Sequence, residues 1–338
     1  MASLSLYVKS AFNLRDVIEE RWFPSLIDYA RRKETIRVKL KGLGYINLPW
    51  EEYRFLAYGV TGLKKCKDRI DYFDIVNYVK RDDSKNDNYI YKAIHLLAIL
   101  GNLCFNGLNL TLNNGILSFN FNGLNIKFGL NCSIRTISEI YAKGEYNYPE
   151  ILSDLKGKDV IDIGANVGDS SIYFAVLGAK KVIGVEPLPN IANCAINNVN
   201  LNNLENKIKI INAGLSINNG FISVPCDYDI MTSNAFSLAE SSGNCKVPTI
   251  TLKDVIEMVD NPYLLKLDCE GCEADILTKS DPNELKKFKY IVFETHPFIT
   301  NVSDDKILAS LKIAGFNCYL KIVHDPKLGV NIYSCEQK

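Results

Sequence analysis

Val160-Ile-Asp-Ile-Gly-Ala-Asn-Val-Gly-Asp169 gives the clearest indication of the fold. An apolar run, interrupted by Asp162 alone, leads into a turn with glycines at positions 164 and 168. This order predicts a buried strand, a tight turn and the start of a helix. Asp162 is costly to bury without a partner. Because ligands of parallel α/β sheets bind at the carboxyl ends of the strands, the turn predicts a cofactor site.

The spacing of this turn narrows the kind of cofactor. The pattern is Gly164-x-Asn166-x-Gly168, whereas dinucleotide folds have a middle glycine that lets the backbone approach a pyrophosphate. Asn166 keeps a side chain at that point, which favours a smaller cofactor and argues against a dehydrogenase. Glu186 ends the next strand, 22 residues after Gly164, where an acid can accept hydrogen bonds from both ribose hydroxyls. Asn212 ends the third strand and could border an adenine ring.

The fold class follows from the pattern downstream of residue 157. Short apolar runs alternate with helical stretches, which predicts βαβ units and a parallel sheet. The last two strands are joined only by Asp325–Gly329, a connection too short for a parallel crossover, so the final strand is expected to run antiparallel. We therefore predict an α/β fold, a doubly wound and mostly parallel sheet, in a catalytic domain over residues 151–338.

The first part of the chain has a different pattern. Residues 1–105 form a predicted accessory region that is mainly helical. Residues 1–35 have helical spacing, and a short hairpin is expected around Gly42–Gly44. Three alternating apolar runs follow within residues 106–150, separated by Asn114-Gly115 and Asn122-Gly123. Asn-Gly pairs favour tight hairpins because both turn residues need a positive φ. This α+β region is thus expected to end in a β-meander and a lead-in helix.

A second group of chemically active side chains follows the predicted fourth and fifth strands. Asp268, Glu270 and Glu273 follow one strand, and Glu294 and His296 end the next. Neighbouring strand ends lie about 5 Å apart, so these side chains should converge beside the cofactor. A His, or a carboxylate with a raised pKa, can deprotonate an acceptor hydroxyl. The same oxygens could hold a divalent cation; base catalysis is the favoured interpretation, and the metal remains unknown.

These segments together resemble the FkbM family of S-adenosylmethionine-dependent methyltransferases. The similarity rests on the Asp162–Gly168 turn, Glu186-Pro187, Leu265-Lys-Leu-Asp-Cys-Glu-Gly271 and Phe293-Glu-Thr-His296, and it covers roughly residues 140–338. It implies a seven-stranded sheet in which the strands lie in the order third, second, first, fourth, fifth, seventh, sixth. It also implies O-methyl transfer, often to the hydroxyl of a sugar or a related natural product.

The predicted site residues follow from the turn, the strand ends and the resemblance. The predicted cofactor-binding residues are Asp162, Gly164, Ala165, Asn166, Gly168, Glu186, Pro187 and Asn212. The predicted catalytic residues are Asp268, Glu270, Glu294 and His296. His324 falls in the predicted turn between the last two strands and carries no functional signal.

Charge and composition bear on the partners. Lys and Arg number 39, Asp and Glu also number 39, and all nine arginines lie at or before Arg135. A nucleic-acid binder is more often basic, so a small molecule or a glycan is the expected acceptor. An RNA methyltransferase remains an alternative within the enzymes. A catalytically inactive module that binds S-adenosylmethionine is the alternative that is not an enzyme.

Cysteines and apolar runs bear on location. The ten cysteines are scattered, which predicts free buried thiols in a reducing cytoplasm. Cys269 and Cys272 have C-x-x-C spacing, but family members often have small aliphatic residues at these positions, which implies a structural role. We expect no signal peptide and no membrane span, and a homodimer is possible. The polar segment Asp227–Lys246 is either a lid or a surface loop, and the basic cluster Lys64-Lys65-x-Lys67-x-Arg69 is expected to be a solvated face.

Overall fold

The computed structural model describes residues 12–66, 70–83, 89–227 and 243–338, with the side chains of residues 82 and 83 left out. The chain divides into two units, Met1–Lys143 and Gly144–Lys338. Lys67 and Arg69 lie outside the described residues, as does most of the predicted lid or loop at Asp227–Lys246.

The first unit combines helices with two small antiparallel sheets, β1-β2-β3 and β4-β5-β6. Its elements are β1 (Ile18–Glu20), α1 (Trp22–Ala30), β2 (Thr35–Leu40), β3 (Gly44–Pro49), α2 (Trp50–Leu63), α3 (Tyr72–Asp83), α4 (Tyr89–Phe105), β4 (Thr111–Asn113), β5 (Ile116–Phe121) and β6 (Leu124–Gly129).

The start of this unit differs from the helix predicted there. Leu14–Asp16 forms a single 3-10 turn, and residues 18–20 form β1, which pairs antiparallel with β2. The strand buries Ile18 to 2% exposure in the core of the unit. Pairing with β2 and burial outweigh the weak helical preference of so short a segment, so the helical prediction is wrong for residues 14–20.

The β-meander is confirmed. Asn114-Gly115 joins β4 to β5, and Asn122-Gly123 joins β5 to β6. All four turn residues have positive φ, from 49° to 77°, as a two-residue hairpin requires. Phe119 and Phe128 stack across β5 and β6 with ring centroids 6.2 Å apart, which closes the buried face of the meander.

The second unit is built on a seven-stranded sheet. Its elements are α5 (Pro149–Leu152), β7 (Asp159–Ile163), α6 (Asp169–Val176), β8 (Lys181–Val185), α7 (Pro189–Leu201), β9 (Ile208–Ile211), β10 (Gly214–Leu215), β11 (Gly220–Val224), β12 (Cys245–Ile250), α8 (Leu252–Ile256), β13 (Pro262–Leu267), α9 (Cys272–Lys279), α10 (Pro282–Leu285), β14 (Tyr290–Glu294), α11 (Pro297–Thr300), α12 (Asp304–Ile313), β15 (Phe316–Asp325) and β16 (Val330–Gln337).

The large sheet has the strand order β9-β8-β7-β13-β14-β16-β15. Strands β7, β8, β9, β13 and β14 pair in parallel, whereas β16 runs antiparallel to both β14 and β15. The mostly parallel sheet and its antiparallel final strand are therefore confirmed. A separate sheet, β10-β12-β11, follows the third strand and was not predicted. Along the chain, β8 and β9 add to one side of β7, and β13 then adds to its other side. This topological switch point lies between β7 and β13, where the carboxyl ends of both strands open a crevice.

The prediction of free thiols is wrong. Disulfides join Cys66 to Cys104, Cys226 to Cys245, Cys269 to Cys272 and Cys318 to Cys335, and no cysteine of the described residues is free. Except for the C-x-x-C pair, these partners are 17 to 38 residues apart in sequence. Cysteine spacing alone does not give such connectivity, because the fold decides which cysteines meet.

Candidate active site

The glycine-rich turn after β7 is shaped by two close approaches. Gly164 has φ +75°, and a Cβ on it would lie 1.7 Å from the carbonyl oxygen of Asp268. Gly168 has φ +83° and precedes α6. Only glycine fits at position 164, both for its φ and for its contact with the chain after β13. The turn predicted to hold the cofactor therefore touches the segment predicted to hold the acceptor.

Asp162 supports this turn from below. The residue is fully buried, and its Oδ2 accepts hydrogen bonds from the hydroxyls of Ser170 and Ser171 at 2.7 and 2.6 Å. Its Oδ1 lies 3.1 Å from Nζ of Lys266. The partners expected for a buried Asp162 are thus the ammonium of Lys266 and the hydroxyls of two serines at the start of α6.

Lys266 is a site residue that the sequence pattern did not predict. The residue is 2% exposed, and its ammonium donates to the carbonyl oxygens of Gly164, at 2.8 Å, and Ile163, at 3.3 Å. Burial alone would lower the pKa of Lys266, but the charges of Asp162 and Asp268 raise it. The signal was present in the sequence as a lone lysine in the apolar strand Leu264–Leu267. Lys266 is paired with Asp162 in the β7–β13 register, so this cation braces the turn.

Glu186 stands at the end of β8, as predicted. Its Oε2 accepts a hydrogen bond from the backbone N–H of Asn166, at 3.1 Å, and its Oε1 accepts one from Leu188, at 2.9 Å. Burial raises the pKa of Glu186 to about 7, although both N–H groups favour its charged form. The amide of Asn212 donates to the carbonyl oxygens of Glu186 and Pro187, at 2.9 and 3.0 Å. Asn212 therefore fixes the loop after β8.

Exposure divides the predicted cofactor residues into two groups. Partly exposed residues, which a bound molecule could touch, are Gly164, Asn166, Pro187 and Asn212. Buried residues are Asp162, Ala165 and Gly168, which shape the turn, and Glu186, which keeps 6% of its surface exposed at the strand end.

The predicted acid–histidine cluster is assembled at the ends of β13 and β14. Nδ1 of His296 lies 2.8 Å from Oε1 of Glu273, which is fully buried. Nε2 of His296 lies 3.3 Å from Oε2 of Glu270 and 3.8 Å from Oε2 of Glu294. Asp268 is drawn in through a hydrogen bond with Glu294. The structure thus brings together all four predicted catalytic residues.

Burial and crowding set the protonation states in this cluster. Burial raises the pKa of Glu270 to about 7 and that of Glu294 to about 8, and the charge of Asp268 adds to both. Burial alone would raise the pKa of Asp268, but Lys266 and His296 hold it below its usual value. Burial alone would lower the pKa of His296, but Glu273, Asp268 and Glu270 raise it to about 9. At neutral pH His296 is therefore an imidazolium.

His324 belongs to this cluster, and the prediction that it lies in a turn is wrong. It lies in β15, and its Nδ1 is hydrogen-bonded to Oε1 of Glu294. Strand β15 continues to Asp325, and β16 lies between β15 and β14, so the contact between His324 and Glu294 is made across β16. Pairing across β16 places it there, and nothing in the local sequence indicates this contact.

One subset of the cluster has the geometry of a cation site. Ligand atoms of Asp268, Glu270 and His296 lie within 4.8 Å of one another. Cys269, Cys272 and Glu273 are also close together, but the two sulfurs are bound to each other.

The fold and the site define a class. A mostly parallel sheet of seven strands, a glycine turn without pyrophosphate spacing and an acid after the second strand are those of a Rossmann-like methyltransferase. Residues 162–318 match the methyltransferase FkbM domain. The resemblance drawn from the sequence is confirmed for these residues. Among the described residues, no helix has the length and apolar character needed to cross a membrane.

Individual relatives are more distant. The chain is 41% identical over 61 residues to protein arginine N-methyltransferase 6 of Danio rerio, a match that covers 18% of this chain and 17% of that protein. It is 26% identical over 160 residues to the uncharacterized protein 158B of Sulfolobus islandicus rod-shaped virus 1, covering 47% of this chain and 73% of the viral protein.

A solved structure of another methyltransferase shows a weak likeness to this chain. Precorrin-6y C5,15-methyltransferase of Geobacter metallireducens has a TM-score of 0.35 and 12% identity, covering 58% of this chain and 89% of that one. The assignment rests on the family match and not on this likeness.

Proposed function

We propose that the protein transfers a methyl group from S-adenosylmethionine to a hydroxyl of a sugar or a related polyhydroxylated molecule. The observation that carries the proposal is the contact between Gly164 and Asp268, which leaves no room for a Cβ. Through this contact the cofactor turn adjoins the acid–histidine cluster. A methyl group on one side would then face an acceptor held on the other, and methyl transfer depends mostly on such positioning.

The residues at the cofactor turn fit S-adenosylmethionine. When bound, this cofactor supplies an electrophilic methyl group on a sulfonium. Glu186 keeps carboxylate lone pairs available beside its two backbone donors, as binding of a ribose diol requires. Asn166, with φ +46°, leaves its side chain where a dinucleotide would need a bare backbone.

Glu270 is the group we assign as the base. A base works best with a pKa near the operating pH, and burial raises the pKa of Glu270 to about 7. Its side chain is 25% exposed, so an acceptor could reach it. The imidazolium of His296 then acts as a fixed cation that orients Glu270, since it already carries a proton at neutral pH. The sequence leaves open whether a His or a carboxylate is the base, and we choose the carboxylate of Glu270.

The surroundings of Glu270 favour a neutral, polyhydroxylated acceptor. Three carboxylates near the acceptor position would repel phosphate groups, and the catalytic half of the chain has no arginine to bind them. Phe298, two residues after His296, is 50% exposed, and the centroids of the two side-chain rings are 6.2 Å apart. An exposed ring beside carboxylates suits the apolar face and the hydroxyl edge of a sugar.

The test is an acceptor screen with S-adenosylmethionine that carries a labelled methyl group. The panels are neutral oligosaccharides, arginine-containing peptides and RNA, each run with wild type and with Glu270→Gln. We expect label in an oligosaccharide ether, and loss of that label in the variant. Label only in RNA or peptide would contradict the proposal. Binding of the cofactor without transfer to any panel would support the inactive binding module instead.

A further inference from the structure

The C-x-x-C pair stands apart from the other disulfides. Cys269 and Cys272 are three residues apart, whereas Cys66–Cys104, Cys226–Cys245 and Cys318–Cys335 span 17 to 38 residues. The stabilisation that a cross-link gives by restricting the unfolded chain falls as the closed loop becomes shorter. This disulfide therefore constrains its own loop more than it stabilises the fold.

That loop carries the proposed base. Glu270 and Gly271 lie between the two cysteines and have φ of +53° and +120°. A left-handed conformation is uncommon for glutamate and costs free energy unless the surroundings hold it. The disulfide closes the ring that contains both residues, so it helps to hold Glu270 in this conformation.

One carboxylate connects the disulfide to the histidine. Oε2 of Glu273 accepts a hydrogen bond from the backbone N–H of Gly271 at 3.0 Å and lies 3.2 Å from Sγ of Cys269. Its other oxygen, Oε1, contacts His296 at 2.8 Å. Through Glu273, a change at the sulfurs can therefore reach His296 and the backbone of Gly271, the residue after Glu270.

The two cysteines also differ in how accessible they are to an attacking thiolate. Cys269 is partly exposed, whereas Cys272 is 8% exposed and is the first residue of α9. An attacking thiolate must reach the sulfur. Attack is therefore favoured at the more exposed Cys269, with departure of Cys272.

We propose that Cys269–Cys272 is a thiol–disulfide exchange site that takes a dithiol reductant and thereby regulates the acceptor site. This regulatory role rests on the proposed function. One thiolate of the reductant bonds to Cys269, and the Cys269–Cys272 bond breaks with its electron pair going to Cys272. The second thiolate of the reductant then displaces Cys269. Two electrons and two protons pass to the cysteines, and the reductant leaves as a disulfide.

Opening the ring lets Glu270 relax from its left-handed conformation and frees Glu273 to accept from the new thiol of Cys269. Because a misplacement of about 1 Å can cost about a hundredfold in rate, we expect reduction to slow methyl transfer by about tenfold or more. The same change removes the restraint on the N–H of Gly271. We expect hydrogen exchange over residues 269–273 to rise by about tenfold, in the range of local opening.

The experiment treats the full-length protein with graded dithiothreitol, maps reduced cysteines by alkylation and mass spectrometry, and measures hydrogen exchange and methyl transfer in the same samples. Cys269→Ala/Cys272→Ala should behave as the reduced protein does and should not respond to dithiothreitol. Cys226→Ala/Cys245→Ala, which removes another partly exposed disulfide, should keep the full response.

Three results would overturn the proposal. They are unchanged exchange over residues 269–273 once both cysteines are alkylated, full wild-type activity in Cys269→Ala/Cys272→Ala, and loss of the response in Cys226→Ala/Cys245→Ala alone. Increased exchange without methyl transfer in either redox state would support the exchange site while removing the proposed function. The hydrogen-exchange measurement thus separates the two.

Discussion

Two neighbouring groups of charged side chains in the second unit differ in their balance of positive and negative charge. Beneath the cofactor turn, one ammonium, that of Lys266, faces Asp162 and Asp268, and backbone carbonyls and hydroxyls complete the network. In the acid–histidine cluster, the carboxylates of Glu270, Glu273 and Glu294 surround His296 and outnumber its charge.

This difference indicates that the group around Lys266 supports the cofactor turn and that the acid–histidine cluster takes part in the reaction. Paired charges with hydrogen bonds hold one another in place. Burial, and then the charge of Asp268, raise the pKa of Glu270 to about 7 and that of Glu294 to about 8. A proton can therefore move within the cluster near neutral pH.

The largest expected effect comes from breaking the supporting group. Lys266→Met leaves Asp162 buried without its cation, and removal of one partner of a buried pair costs about 3–5 kcal/mol of unfolding free energy. Urea denaturation measures this loss. Lys289→Met, at an exposed lysine, is the matched control and should change stability by less than about 0.5 kcal/mol. A loss below about 1 kcal/mol in Lys266→Met would show that the brace is not needed.

The next effect separates chemistry from support. Glu270→Gln removes the proposed base, and general base catalysis is worth about 10²–10⁴-fold in rate. We expect kcat to fall in that range, with stability and cofactor affinity close to wild type. Asp275→Asn, an exposed acid on α9, is the control and should keep full activity. Retention of more than about a third of the rate by Glu270→Gln would assign the proton to another group.

Activity should depend on pH in a way the supporting group cannot produce. Glu270 accepts a proton only as a carboxylate, so kcat/KM should rise with pH about tenfold per unit and level off near pH 7. His296 must stay charged, so kcat/KM should fall again as pH passes about 9. A profile that is flat between pH 5 and 7 would contradict the assignment of Glu270.

The smallest effect concerns the acceptor alone. Phe298→Ala removes an exposed ring whose stacking is worth about 0.5–1.5 kcal/mol. By the conversion of about 1.4 kcal/mol per factor of ten, KM for the acceptor should rise about two- to tenfold, with kcat unchanged. Steady-state kinetics at saturating cofactor measure both constants. A lower kcat with an unchanged KM would place the ring in the reaction rather than in binding.

The same comparison shows what the sequence could predict. The turn at Gly164–Gly168 and the acids after β13 and β14 were predictable, because each is a local pattern at a strand end. The pairing of Lys266 with Asp162 depends on the register between two strands about a hundred residues apart in sequence, which no local pattern specifies. The approach of His324 to Glu294 likewise depends on pairing through β16, and the disulfides depend on the whole fold.

Calorimetric titration with S-adenosylmethionine of wild type, Glu186→Ala and Glu270→Gln separates the cofactor side of the site from its acceptor side. Glu186 lies on the cofactor side and Glu270 on the acceptor side of the Gly164–Asp268 contact. Since a hydrogen bond to a charged group contributes about 1.5–3 kcal/mol, Glu186→Ala should weaken binding about ten- to a hundredfold, whereas Glu270→Gln should bind as wild type does. Absence of binding to the wild type, or equal weakening in both variants, would contradict the account.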